Sequence, residues 1–306
     1  MRITDVRATM LRLPQVSAAA DGTQDDLILR VDTDAGISGW GEVDTAPLVG
    51  RAVVDAHMSH GTCFGLRQVL VGRDPFDHEQ LWQEMWSKTY YYGRSGPVLH
   101  VMSGVDMALW DIMGKATGLP VHKLLGGSHA GQVTAYASAL MPETPDEVRS
   151  QVERYVAEGF TAVKLGWGPL GSDVRRDAEL ARAARRAAGD GVEIMIDIGK
   201  RYRYKQALTM ARACEELGVY WLEEPFPAED LESYRRLADA TSVRIASGEE
   251  ESGRLAFARL IRETRIDVVQ PDLSRCGGLT EARKIATMAA DANALCVPHA
   301  FKTGIL

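Results

Sequence analysis

Five ionisable residues recur at nearly even intervals through the second half of the chain. They are Asp197, Glu223, Glu249, Asp272 and His299, separated by 26, 26, 23 and 27 residues. Each closes, or lies just past, a short apolar run at residues 194–196, 220–222, 243–246, 268–269 or 295–297. A gap of that size holds one strand, one helix and two loops, so the spacing predicts successive βα units. Parallel strands closing into a barrel bring their C-terminal ends to one mouth, where residues far apart in sequence meet.

The rest of the chain divides around that repeat. Residues 2–13 alternate loosely, residues 27–31 form a compact apolar run, and residues 36–42 end a hairpin at a Gly-rich turn. Between the first two strands, residues 15–24 are small and polar, with a mobile tip expected at Ala20-Asp21-Gly22. From about residue 50 to 125 the pattern is helical. Val101, Val105, Ala108, Leu109 and Ile112 mark one helix over 98–115, stopped near Gly118-Leu119-Pro120. From Val133 onward strands alternate with Ala-, Arg- and Glu-rich helices, the α/β signature of a parallel sheet. The domain boundary is expected near 125, giving an N-terminal domain over 1–125 and a (β/α) barrel domain over 126–306. Barrel strands are expected near 133, 161, 193, 219, 243, 267 and 294, one short of a closed eight-stranded barrel. Because an open edge exposes unpaired backbone groups, the intact polypeptide is expected to continue beyond Leu306.

Composition narrows the function. A net charge of -7 without a Lys/Arg cluster argues against a nucleic-acid surface. Four scattered cysteines without CxxC spacing argue against a disulfide scaffold or zinc site. The N-terminus lacks the apolar core of a signal peptide, and no apolar run approaches the length of a membrane span. A cytoplasmic enzyme, working as a homo-oligomer on a small molecule, is the expectation.

Asp197, Glu223 and Glu249 present three carboxylates on adjacent strand ends. Held together unpaired they would repel, and a hard divalent cation offsets that best, which suits one Mg²⁺ per site. A single acid of this kind is more simply a salt bridge or helix cap; three at matching positions are harder to read that way. His299 follows Pro298 and Asp272 follows Pro271 on neighbouring strands, roughly 5 Å apart. An Asp holding one imidazole nitrogen leaves the other free as a base; the plainer alternative is a capping Asp beside an unrelated His. Lys164, in Val163-Lys164-Leu165-Gly166-Trp167, is either a surface lysine or a pocket cation for a carboxylate or enolate oxygen. Glu224 is expected on the opposite strand face, paired with a neighbour, and Tyr90-Tyr91-Tyr92 in helical packing.

Together these residues resemble the mandelate racemase and muconate lactonising enzyme branch of the enolase superfamily. The resemblance rests on Ser103-Gly104-Val105-Asp106-Met107-Ala108-Leu109-Trp110-Asp111, Gly114-Lys115 and Leu124-Leu125-Gly126-Gly127. It rests also on Glu223-Glu224-Pro225, Gly248-Glu249, Gln270-Pro271-Asp272 and His299. It implies an N-terminal α+β capping domain over a modified (β/α) TIM-like barrel. It implies Mg²⁺ on Asp197, Glu223 and Glu249, a His299–Asp272 dyad as base or acid, and substrate specificity set by residues 15–24 and those after Glu42. Chemistry in such enzymes removes the proton beside a carboxylate and forms an enediolate.

Two positions depart from the family pattern. Gly166 stands where the family commonly has the second lysine of Lys-x-Lys, and Gly199 where it often has Asn. With one base left at His299, the reading favours dehydration of a sugar acid to a 2-keto-3-deoxy acid. The alternatives are a racemase, epimerase or cycloisomerase sharing the intermediate, and an inactive carboxylate-binding barrel.

Overall fold

The computed structural model describes residues 1–16, 24–128 and 131–301, so the tip expected at Ala20-Asp21-Gly22 lies outside the described residues. The N-terminal sheet is antiparallel, ordered β1 (Ile3–Leu11), β2 (Asp26–Thr33), β3 (Ser38–Val43). Five helices follow: α1 (Pro47–Asp55), α2 (Leu66–Leu70), α3 (His78–Thr89), α4 (Pro97–Thr117) and α5 (Val121–Leu124). The long helix α4 has few exposed residues because it is packed on two sides, against β3 and against the barrel. Gly39 and Gly41 permit that approach, since a Cβ at either would collide with the backbone oxygen of Ala108 or Gly104. The tyrosine run departs from expectation. Helix α3 stops at Thr89, and Tyr91 beyond it is 76% exposed, because the turn at 90–93 carries the chain away from the helix's buried face.

The second half is a seven-stranded sheet in which every neighbouring pair is parallel. Its strands are β4 (Ala137–Leu140), β5 (Ala162–Gly166), β6 (Glu193–Asp197), β7 (Trp221–Glu223), β8 (Arg244–Ser247), β9 (Val268–Val269) and β10 (Leu295–Cys296). They alternate with α6 (Pro145–Ala157), α7 (Val174–Ala188), α8 (Tyr204–Glu216), α9 (Leu231–Ala240), α10 (Arg254–Thr264) and α11 (Gly278–Asp291). The first barrel strand begins at Ala137 rather than near 133, and Val133 is 92% exposed. Pairing decides this: β4 has one neighbour, and its register against β5 begins at Ala137–Val163.

Strand parity positions the site. Ala162, Met195, Trp221, Ala246 and Val268 form one buried cluster inside the barrel, whereas Val163, Leu165, Ile194, Ile196, Leu222, Ile245 and Val269 pack outward against the helices. Side chains two residues on share a face. Lys164, Asp197 and Glu223 therefore continue the inner face at the C-terminal ends of their strands. Glu249 follows Ala246 by three residues, and Gly248 at φ 127° corrects the phase. Among the described residues, no helix is long and apolar enough to cross a membrane.

The two halves are joined where α4 meets α11. Asp106 accepts from Thr280 N and Oγ1 (2.9 and 2.6 Å), Trp110 Nε1 donates to Thr280 Oγ1, and Ser103 Oγ accepts from Gly277 N. The Ser103–Asp111 motif is thus a docking surface for the barrel. Burial, opposed by the Thr280 hydrogen bonds, pushes the Asp106 carboxyl up to about 7.

Candidate active site

At the barrel mouth Asp197, Glu223 and Glu249 are all buried, each offering an oxygen within 4.8 Å of the others. Lys164 stands among them, its Nζ 2.5 Å from Glu223 Oε1 and 3.9 Å from Asp197 Oδ2. It faces the pocket, and its ammonium is engaged by the acids. Burial alone would lower the Lys164 pKa, but Glu223 and Asp197 outweigh it and raise it. Asp197 is pushed up to about 7 by burial and by Glu223, with Lys164 opposing. One buried ammonium does not neutralise three carboxylates crowded this closely, and the residual charge and oxygen donors fit a hard divalent cation.

His299 and Asp272 meet across adjoining chain segments, joined by a parallel bridge, with His299 Nδ1 2.6 Å from Asp272 Oδ2. The other Asp272 oxygen accepts from Ser274 N and Oγ (2.7 and 2.5 Å). Burial would raise the Asp272 pKa, but the His299 hydrogen bond, Arg275 and Ser274 hold it below the ordinary carboxylate value. Asp272 therefore stays ionised and orients the imidazole, leaving Nε2 toward the mouth, 3.2 Å from Glu249 Oε2.

Glu224 is buried, at φ 41°, with Lys200 3.8 Å away. Burial and the Glu249 charge raise its pKa well above the ordinary value, against Lys200. Gly166 lines the mouth beside Lys164.

Four further residues have roles that the spacing did not disclose. Arg275 forms a charge-paired hydrogen bond with Asp44, in the segment after Glu42, and donates to the Glu249 backbone oxygen (3.1 Å). It thereby ties the cap to the strand end carrying Glu249. Trp167 Nε1 donates to Asp197 Oδ2 at 3.0 Å, and the Tyr136 ring lies 6.0 Å from Lys164 Nζ. The only signal for Arg275 was its place three residues past Asp272, and for Asp44 its place just after Glu42; Tyr136 gave none. The cavity these groups line measures about 1420 Å³ and includes His100 of α4 and Asp44 from the cap.

Two family models account for most of the chain. That for the mandelate racemase / muconate lactonizing enzyme N-terminal domain matches residues 1–126, and that for an enolase C-terminal domain-like fold matches 147–306. The chain belongs to this branch of the enolase superfamily, a capping domain over a TIM-like barrel. It is 37% identical over 284 residues to a D-galactonate dehydratase of Variovorax paradoxus (strain S110), covering 89% of this chain and 71% of that one. It is 33% identical to a D-galactarolactone cycloisomerase of Agrobacterium fabrum (strain C58 / ATCC 33970), covering 100% of this chain and 80% of the relative. A solved structure of a racemase from Streptomyces coelicolor A3(2) with bound magnesium superposes with a TM-score of 0.87 at 30% identity, covering 97% of this chain and 83% of that one.

Proposed function

We propose that this protein is a Mg²⁺-dependent dehydratase that converts a sugar acid to a 2-keto-3-deoxy acid. Asp197, Glu223 and Glu249 would hold the cation, which when bound neutralises charge developing on the substrate carboxylate. The hard, all-oxygen donor set and the magnesium in the Streptomyces structure support that choice of metal.

The observation that carries the reading is the Asp272–His299 pair at 2.6 Å, with Nε2 turned to the acid cluster, 3.2 Å from Glu249 Oε2. His299 takes the proton from the carbon beside the carboxylate, while Asp272 fixes its tautomer and stabilises the imidazolium. The electron pair left on that carbon expels the neighbouring 3-hydroxyl. The hydroxyl leaves as water with a proton from the imidazolium or another acid, and the enol product tautomerises to the keto acid. Lys164, a few ångströms from the acid cluster, assists in binding the substrate carboxylate.

The reading also divides the chain near residue 125, just after α5, and takes the protein to act as a cytoplasmic homo-oligomer. Four unpaired cysteines, a net charge of -7 and exposed apolar side chains such as Leu48 support this. The cycloisomerase relative favours a second reading, in which the same proton abstraction leads to isomerisation.

One experiment separates these. In D₂O with Mg²⁺ and a library of aldonic and aldaric acids, 2-keto-acid formation is followed by semicarbazide absorbance and solvent exchange by NMR. The expected result is elimination or exchange of a single C2 epimer, because Gly166 offers no base opposite His299. Equal deuteration of both epimers would restore the racemase alternative.

A further inference from the structure

The family motif is altered at Gly166 and Gly199, and a single side chain lies between these two positions. A Cβ on Gly166 would come 2.6 Å from Asp197 Cβ and 3.0 Å from its Cγ, so Asp197 itself occupies that space. The next residue, Trp167, takes φ 57°, a left-handed conformation that costs energy in a bulky residue and persists only where the surroundings impose it. The turn delivers its indole onto Gly199, where a Cβ would lie 2.9–3.1 Å from three ring atoms. Lys200 Nζ and Arg201 Cζ sit 5.2 and 5.6 Å from the ring centroid, holding it from outside. Trp167 Nε1 then meets Asp197 Oδ2 at 3.0 Å, and Gly199 N meets Oδ1 at 2.9 Å.

We propose that Trp167 is a positioning residue for Asp197, seated by Gly199 and aiming the carboxylate at the metal. The inference rests on the reading above that Asp197 holds the cation. An indole N–H suits the task because it is a neutral donor. It fixes the carboxylate plane and occupies one lone pair per oxygen at most, without cancelling the charge the cation needs. A lysine or arginine in its place would compete with the metal. The substitutions at 166 and 199 therefore belong to one arrangement, in which a side chain at either position would displace Asp197 or its indole partner.

The test is calorimetric Mg²⁺ titration of the full chain and its variants. Trp167→Phe keeps an aromatic ring between Lys200 and Arg201 but loses the N–H. It should bind Mg²⁺ roughly ten- to a hundredfold more weakly, as loss of a partner behind a metal ligand does, with melting in EDTA close to wild type. Mg²⁺ should perturb the near-ultraviolet indole spectrum of the wild type, and that perturbation should be reduced in Trp167→Phe, leaving the part due to Trp221, whose Nε1 donates to Glu223 Oε2 at 2.8 Å. Gly199→Ala keeps the tryptophan but pushes on its ring, and should weaken binding in the same direction if Trp167→Phe does not fold. Asp197→Asn separates the two levels of the argument. If it binds Mg²⁺ like wild type, the metal reading and this inference both fall. If it loses Mg²⁺ while Trp167→Phe and Gly199→Ala retain wild-type affinity, Trp167 only packs the wall and the inference alone is overturned.

Discussion

At the cap–barrel seam, Asp106 and Glu281 are completely buried and supplied with partners by their surroundings. Thr280 donates twice to Asp106, and Glu281 receives Arg254 (2.7 Å) and Lys284 (3.2 Å). At the barrel mouth three acids are also buried, but Lys164 is shared between Glu223 and Asp197, and Arg275 near Glu249 is already bound to Asp44. The seam's acids complete a structure. The mouth's acids keep an excess of negative charge that the fold leaves for something else to neutralise. Neither burial nor the number of donors to each carboxylate distinguishes the two; the mouth differs in crowding three acids around a single lysine.

The largest expected effect lies beside the mouth. His299→Asn should reduce turnover by roughly 10²–10⁴-fold, measured as 2-keto-acid formation and as C2 exchange, with Mg²⁺ binding retained. Wild-type exchange in that variant would remove His299 as the base. Next is Glu249→Gln, which should abolish the rise in melting temperature expected when Mg²⁺ is added to the wild type. A seam variant such as Glu281→Gln should keep that rise; if both behave alike, the contrast between the two clusters fails.

A smaller effect reverses the comparison. Without metal, Asp106→Ala should cost about 1–3 kcal/mol, because the buried Thr280 N–H loses its acceptor. Asp197→Asn, compared in EDTA, should cost less, since relief of repulsion from Glu223 and Glu249 offsets a weakened hydrogen bond. Chemical denaturation of both variants checks the order.

The last effect is one of pH. The Asp106 carboxyl is raised to about 7 in the folded state from an ordinary value of 3.8, mainly by burial. A raised pKa means that the folded chain holds the proton more tightly than the unfolded one. Its contribution to stability is therefore full below about pH 4 and is lost as pH rises toward 7. Asp106→Asn should flatten that part of the stability profile, and an unchanged profile would show that Asp106 is not its source.

Much of this was legible because strand parity and βα spacing are short-range rules. The interval of 23–27 residues from Asp197 to His299 placed each acid or base at or just past a strand end: β6 and β7 end at Asp197 and Glu223, and β8, β9 and β10 end two or three residues before Glu249, Asp272 and His299. The Gly118 stop of α4 was equally local, a left-handed C-cap at φ 68°. The start of β4 was missed because strand propensity at Val133 has no effect without a neighbour to pair. The tyrosine run was misread because three aromatic residues give no sign of where a helix turns away from its core.

The sequence by itself determined the family, the order of layers and which acids share the barrel's inner face, since these follow from periodicity and residue chemistry along one strand at a time. Tertiary structure decided how those groups are paired. Lys164 lies within the acid cluster, Arg275 is held by Asp44 of the cap, and Trp167 has turned through a left-handed bend onto Gly199 to meet Asp197. Such pairings join residues up to 231 positions apart. They depend on distances of a few ångströms between elements, and a hydrogen bond or ion pair is fixed only when packing has set those distances.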